Sequence, residues 1–147
     1  MSANTKNLIV TAFFNLAKVK PLDKITIKDV VEACGITRQT FYYHFQDILD
    51  VIEWSMKQYG QQLMERTLKA KTTREAFRIM LSILEDQSAV IAHLIQSRKQ
   101  EQVEQLLLAS IKGYFEALIP KRVVRSTWAL DELETMLNFY SYAVIGV

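Results

Sequence analysis

The stretch Ile25-Thr26-Ile27-Lys28-Asp29-Val30-Val31-Glu32-Ala33-Cys34-Gly35-Ile36-Thr37-Arg38-Gln39-Thr40-Phe41-Tyr42-Tyr43-His44-Phe45 reads as two short helices and the turn between them. Thr26 is a good N-cap, and Asp29 three residues later completes a capping box. Ile25 and Val30 stand at N′ and N4, the places of a hydrophobic staple. Ile27, Val30, Val31 and Cys34 share one face, and Gly35 supplies the positive φ that ends the helix. The second helix repeats the design, with Thr37 as N-cap and Ile36 and Phe41 as the staple. Phe41 and Phe45, four apart, define its buried side. Helices over 26–34 and 37–45 joined through Gly35 and Ile36 form a helix-turn-helix.

The outer face of the second helix follows from projection at about 100° per residue. With the core between Phe41 and Phe45, Gln39 and Tyr43 point away from it, flanked by Thr40 and Tyr42. Arg38 lies at the helix start, and His44 lies nearer the core. This face hydrogen-bonds and holds no acid. In a major groove Arg bonds guanine and Gln bonds adenine, while Thr or Tyr touches a thymine methyl or a phosphate. The starts of both helices offer N–H groups to phosphates, with Thr26 and Lys28 beside the first. A helix-turn-helix used only for packing would not need such a face.

The rest of the chain reads as helix. Leu8, Ile9, Ala12, Phe13, Leu16 and Ala17 form one stripe over 5–19, closed by Pro21. Longer helices are expected over 46–69, 73–96, 99–119 and 127–147. Thr72 or Thr73 caps the second of these, and Pro120 ends the third. The 147 residues hold only 4 Gly and 2 Pro, against roughly 17 at average usage. That shortage argues against turn-rich sandwiches and barrels. The single cysteine excludes an internal disulfide. Hydrophobic residues at 50% and charged residues at 23% are a globular balance. The polar N-terminus shows no signal-peptide core, and no apolar run is long enough to span a membrane, so the expectation is cytoplasmic. Net charge is +2, but residues 1–46 carry +3 and the remainder −1, a basic head on a near-neutral body.

The stretch 25–45 resembles the signature of the tetracycline-repressor (TetR) family of transcriptional regulators, over about residues 5–54. The run Arg38–Asp47, with Glu53-Trp54, is similar to the branch holding the activator of the dihydroxyacetone-kinase operon. The resemblance implies an all-α protein. A three-helix helix-turn-helix head, residues 1–45, is joined by a continuous helix to a helical-bundle body, residues 46–147, for effector binding and dimerisation. It implies a homodimer on a palindromic DNA operator, controlled by a small-molecule effector. It puts Thr26, Tyr42 and His44 on phosphates, Arg38, Gln39 and Tyr43 near bases, and Thr37 and Thr40 at the helix start. Where the family often has a phosphate-binding Lys, this chain has Ile48. Family members also run longer. The apolar end Tyr140–Val147 then reads as a C-terminal truncation, which bears on dimerisation.

Candidate effector-lining residues are Trp54, Tyr59, Met80, His93, Phe115, Trp128, Met136 and Tyr140. Aromatics and Met at helical spacing are more often core, and His93, within an apolar run, is more often a satisfied core histidine. Cys34, His44 and His93 lack metal-ligand spacing, so no structural zinc and no cofactor is expected. No P-loop, GxGxxG, GxSxG or HExxH occurs, so no catalytic residues are assigned. A competing reading is a helical protein-interaction module acting as a co-activator through a partner protein.

Overall fold

Both short helices form with the expected caps in a computed structural model that describes residues 2–118 and, beyond them, residues 134, 135, 138, 139 and 142. The elements are α1 (Ser2–Ala17), a 3-10 turn (Leu22–Lys24), α2 (Ile27–Cys34), α3 (Arg38–His44), α4 (Ile48–Leu68), α5 (Thr73–Asp86), α6 (Ser88–Ile95) and α7 (Gln100–Leu118). All regular structure among the described residues is helical. The helix expected over 127–147, its residues Trp128, Met136 and Tyr140, and the stop at Pro120 lie outside the described residues.

Thr26 and Asp29 make the reciprocal capping box at the start of α2. Gly35 follows α2 with φ 67° and ψ 32°, and its N–H and that of Ile36 return to carbonyls of the last turn. Apart from Gly35 and its two chain neighbours, no heavy atom among the described residues lies within 4 Å of where a Cβ on Gly35 would stand. The cost of a side chain there is therefore conformational alone. Gly35→Ala is expected to lower stability by about 1–2 kcal/mol, and Gly35→Asn by less, because Asn tolerates the left-handed region. Urea unfolding of the three proteins checks the order.

Packing divides the chain into two compact units, 1–55 with 81–103, and 56–80 with 104–147. In the first, Ile9, Phe13 and Ala17 of α1 close on Val30 and Val31 of α2 and on Phe41 of α3, all at most 6% exposed. Phe45, Val51 and Ile52 extend this core, as do Val90 and Leu94 of α6 and Val103 of α7. The α1 stripe is as expected except at its edges: Leu8 is 46% exposed and Val10 is buried. In the second unit the Tyr114 hydroxyl donates to Thr67 Oγ1 at 3.0 Å, and Thr67 Oγ1 donates to the Leu63 carbonyl at 2.7 Å. Lys112 pairs with Glu134 at 3.3 Å.

Two boundaries between the longer helices differ from expectation. The single helix expected over 73–96 is two, α5 and α6, broken at Gln87 with φ −104° and ψ 6°. The break falls in the polar run Glu85-Asp86-Gln87-Ser88, where Asp and Ser favour caps over helix interior. The cap of α5 is Thr72, one of the two expected: its Oγ1 accepts from Glu75 N, and Glu75 Oε2 accepts from Lys71 N. The helix expected from 46 starts at Ile48, because Asp47 Oδ1 accepts from Asp50 N and Asp50 Oδ2 accepts from Gln46 N. These two bonds make a capping arrangement built on aspartate side chains, which no Ser or Thr announced.

Candidate nucleic-acid interface

Two buried rings orient α3. Phe41 is fully buried and Phe45 is 2% exposed, their centroids 6.1 Å apart. With that side fixed, the opposite side must face out. Arg38 and Gln39 are exposed, Tyr42 is 58% exposed and Tyr43 is 80% exposed. His44 is half-buried, its ring edge-on to Tyr43 at 5.0 Å. Thr40 is half-buried. Its N–H donates to Thr37 Oγ1 at 3.1 Å, and the two hydroxyls share a bond at 2.9 Å. One proton serves that bond, so the pair keeps one hydroxyl proton for another acceptor.

The charge at the helix starts separates α3 from its neighbours. The first turn of α3 carries no acid. The first turns of α2 and α4 carry Asp29 and Asp50. Asp29 Oδ2 accepts from Thr26 N at 2.7 Å, from Thr26 Oγ1 at 2.8 Å and from Lys20 Nζ at 3.1 Å. These bonds, led by that from the Thr26 backbone, lower its pKa to about 2. The unfolded carboxyl titrates near 3.9. Its folded form is thus favoured above that range, and the contribution is lost as pH falls through about 2. Asp29→Asn is expected to melt lower than wild type at pH 7, with the gap closing towards pH 2. Thermal melts at pH 7, 4 and 2 check this.

The proton of the Thr26 hydroxyl is committed to Asp29, while Lys28 is exposed with a loose pair to Glu32 at 3.7 Å. Behind α3 lies a cluster the sequence did not announce. The Phe45 ring meets Trp54 of α4 edge-on at 6.1 Å, and Lys6 Nζ of α1 stands 5.1 Å and 5.7 Å from the two ring centroids. Cation–π and edge contacts of this kind join α1, α3 and α4 at the base of the outward helix.

Residues 9–53 match the family described as bacterial regulatory proteins, tetR family, and residues 71–147 match a transcriptional regulator C-terminal region. The chain belongs to the tetR family.

Solved structures share the fold of this TetR-family regulator. The dihydroxyacetone kinase operon activator DhaS is similar with a TM-score of 0.67 at 18% identity, over 97% of this chain and 80% of that one. A putative TetR-family transcriptional regulator from Syntrophomonas wolfei str. Goettingen is similar with a TM-score of 0.60 at 18% identity, over 99% and 85%. No curated protein matches the chain.

The effector candidates of the regulator do not fall in one unit. Trp54 belongs to the first unit, in the cluster with Phe45 and Lys6. His93 is also in the first unit, its Nδ1 2.7 Å from the Ala17 carbonyl. Tyr59, 36% exposed on α4, and Met80, half-buried on α5, belong to the second. Phe115 lies on α7 in that unit, and its side chain is outside those described. Among the described residues no group of three or more His, Cys, Asp or Glu is placed to hold a metal ion. Burial raises the pKa of the Cys34 thiol, and the thiol donates to the Val30 carbonyl at 3.0 Å. No helix among the described residues is long and apolar enough to cross a membrane.

Proposed function

We propose that this TetR-family regulator binds a palindromic DNA operator as a homodimer, with α3 of each head, residues 1–45, in the major groove. The observation that carries the reading is the outward face of α3. Arg38, Gln39, Tyr42 and Tyr43 are exposed on a helix whose other side is locked by Phe41 and Phe45, with no acid in its first turn. Arg38 and Gln39 read guanine and adenine edges, and Tyr43 touches a thymine methyl or a neighbouring phosphate. Tyr42, His44 and the Thr37–Thr40 hydroxyl pair meet the backbone. At the start of α2, where Asp29 holds the Thr26 proton, phosphate contact falls chiefly to Lys28 and the first-turn amides. The body, residues 46–147, holds the dimer and responds to a small-molecule effector. A regulator of this kind works in the cytoplasm beside the chromosome, and its task involves no catalysis.

Selection of bound sequences from random DNA by the purified protein tests the reading. The expected product is a palindrome with half-sites about 10 base pairs apart, or a multiple of it, and affinity that falls steeply with salt. Recovery of sequences no different from the input pool at the same salt would sink it.

A further inference from the structure

The connector between α1 and α2 is held locally by its 3-10 turn, where Lys24 N and Ile25 N donate to the Pro21 and Leu22 carbonyls. The Lys20–Asp29 pair also holds it, but its first half is open to solvent. Lys18, Val19 and Pro21 are exposed, Val19 at 81%, and the first buried side chain is Leu22. Yet this connector sets where Ile25, Thr26 and then α2 and α3 begin. Two hydrogen bonds bracket it, and both come from a segment about 75 residues away. At its start, the Ala17 carbonyl is among the last four of α1, which lack intrahelical donors. His93 Nδ1 of α6 lies 2.7 Å from it. A carbonyl only accepts, so His93 carries its proton on Nδ1. At its end, Asp23 in the 3-10 turn accepts from Arg98 N, with both carboxylate oxygens at 3.1 Å.

The segment that supplies these bonds is itself held firmly. Val90 and Leu94 of α6 are 1% and 2% exposed. Ser97 is buried, its hydroxyl donating to the Leu94 carbonyl at 2.7 Å and accepting from Lys99 N at 3.3 Å. Residues 81–103 pack in the same unit as residues 1–55. We infer that residues 88–98 are a working part of the DNA-binding head. His93 and Asp23 are its positioning residues, fixing the α1–α2 connector and through it the place of α3. The inference rests on the DNA-binding reading above.

The test uses full-length His93→Phe, His93→Asn and Asp23→Ala, with Val103→Ala, fully buried in the same unit but outside residues 88–98, as a packing control. Amide hydrogen exchange over residues 18–26 is measured without DNA, and affinity is measured for a fragment recovered by selection. His93→Phe and Asp23→Ala are expected to speed exchange over 18–26 about tenfold and to weaken binding about fivefold. His93→Asn, whose Nδ2–H takes the place of Nδ1–H, is expected to restore both. Val103→Ala is expected to lower the melting temperature while changing neither well below it.

The inference is overturned if His93→Phe leaves affinity unchanged, or if His93→Asn is as weak as His93→Phe. It is also overturned if Val103→Ala costs the same affinity at a matched loss of melting temperature. If the wild type binds no DNA, the DNA-binding reading fails separately. Unchanged exchange in His93→Phe and Asp23→Ala would then still overturn the bracing of the connector.

Discussion

Replacing Gln39 and Tyr43 together by alanine is expected to abolish sequence-specific DNA binding while leaving the fold intact. Both side chains are exposed, Tyr43 at 80%, so neither contributes to the core, and surface changes of this kind shift stability by no more than about 0.5 kcal/mol. A side chain that reads a base edge supplies about 1–3 kcal/mol of discrimination, so removing the two costs about 30-fold or more in specific affinity. No Lys or Arg is removed, so the slope of affinity against salt is expected to stay close to wild type. Titration of a selected fragment and a random one, at two salt concentrations, reads both quantities. Undiminished specific binding by the double variant would remove α3 from the groove. Unimpaired regulation in the cell without specific binding would favour the protein-interaction reading.

Phe41→Ala is expected to produce the largest loss of stability in the head, about 3–5 kcal/mol. Its ring is fully buried and meets Phe45 at 6.1 Å and Tyr42 edge-on at 5.7 Å. Removing it opens a cavity on the one side that orients α3. A domain has only about 5–15 kcal/mol in total, so much of the head's margin disappears and DNA binding goes with it. Tyr42→Ala is the contrasting variant: it is 58% exposed, so it is expected to weaken DNA binding with little change in melting. Urea unfolding of both variants tests the pair. A loss under about 1 kcal/mol in Phe41→Ala would mean that this ring does not anchor the helix.

The parts of the structure legible in the sequence are those governed by interactions three or four residues long. Thr26 with Asp29, Thr37 with Thr40, and the positive φ of Gly35 are all settled within one helical turn of where they are read. The same periodicity put Phe41 and Phe45 inside and Gln39 and Tyr43 outside. Expectations failed where a local signal was weak or a distant partner decided. The break at Gln87 sits in a run that periodicity alone carries through as helix. The start of α4 depends on two aspartates, Asp47 accepting from Asp50 N and Asp50 accepting from Gln46 N.

The sequence by itself determined two capped helices, the glycine turn between them and the side of α3 that faces out, because capping and helical periodicity are local physics. Tertiary structure alone decided that His93 bonds the end of α1 and that Asp23 holds Arg98. It alone placed Trp54 with Phe45 and Lys6 at the base of α3. Each of these links joins different helices. Orphan backbone groups at helix ends and aromatic faces accept any suitable partner, and only the packed core selects which distant residue arrives.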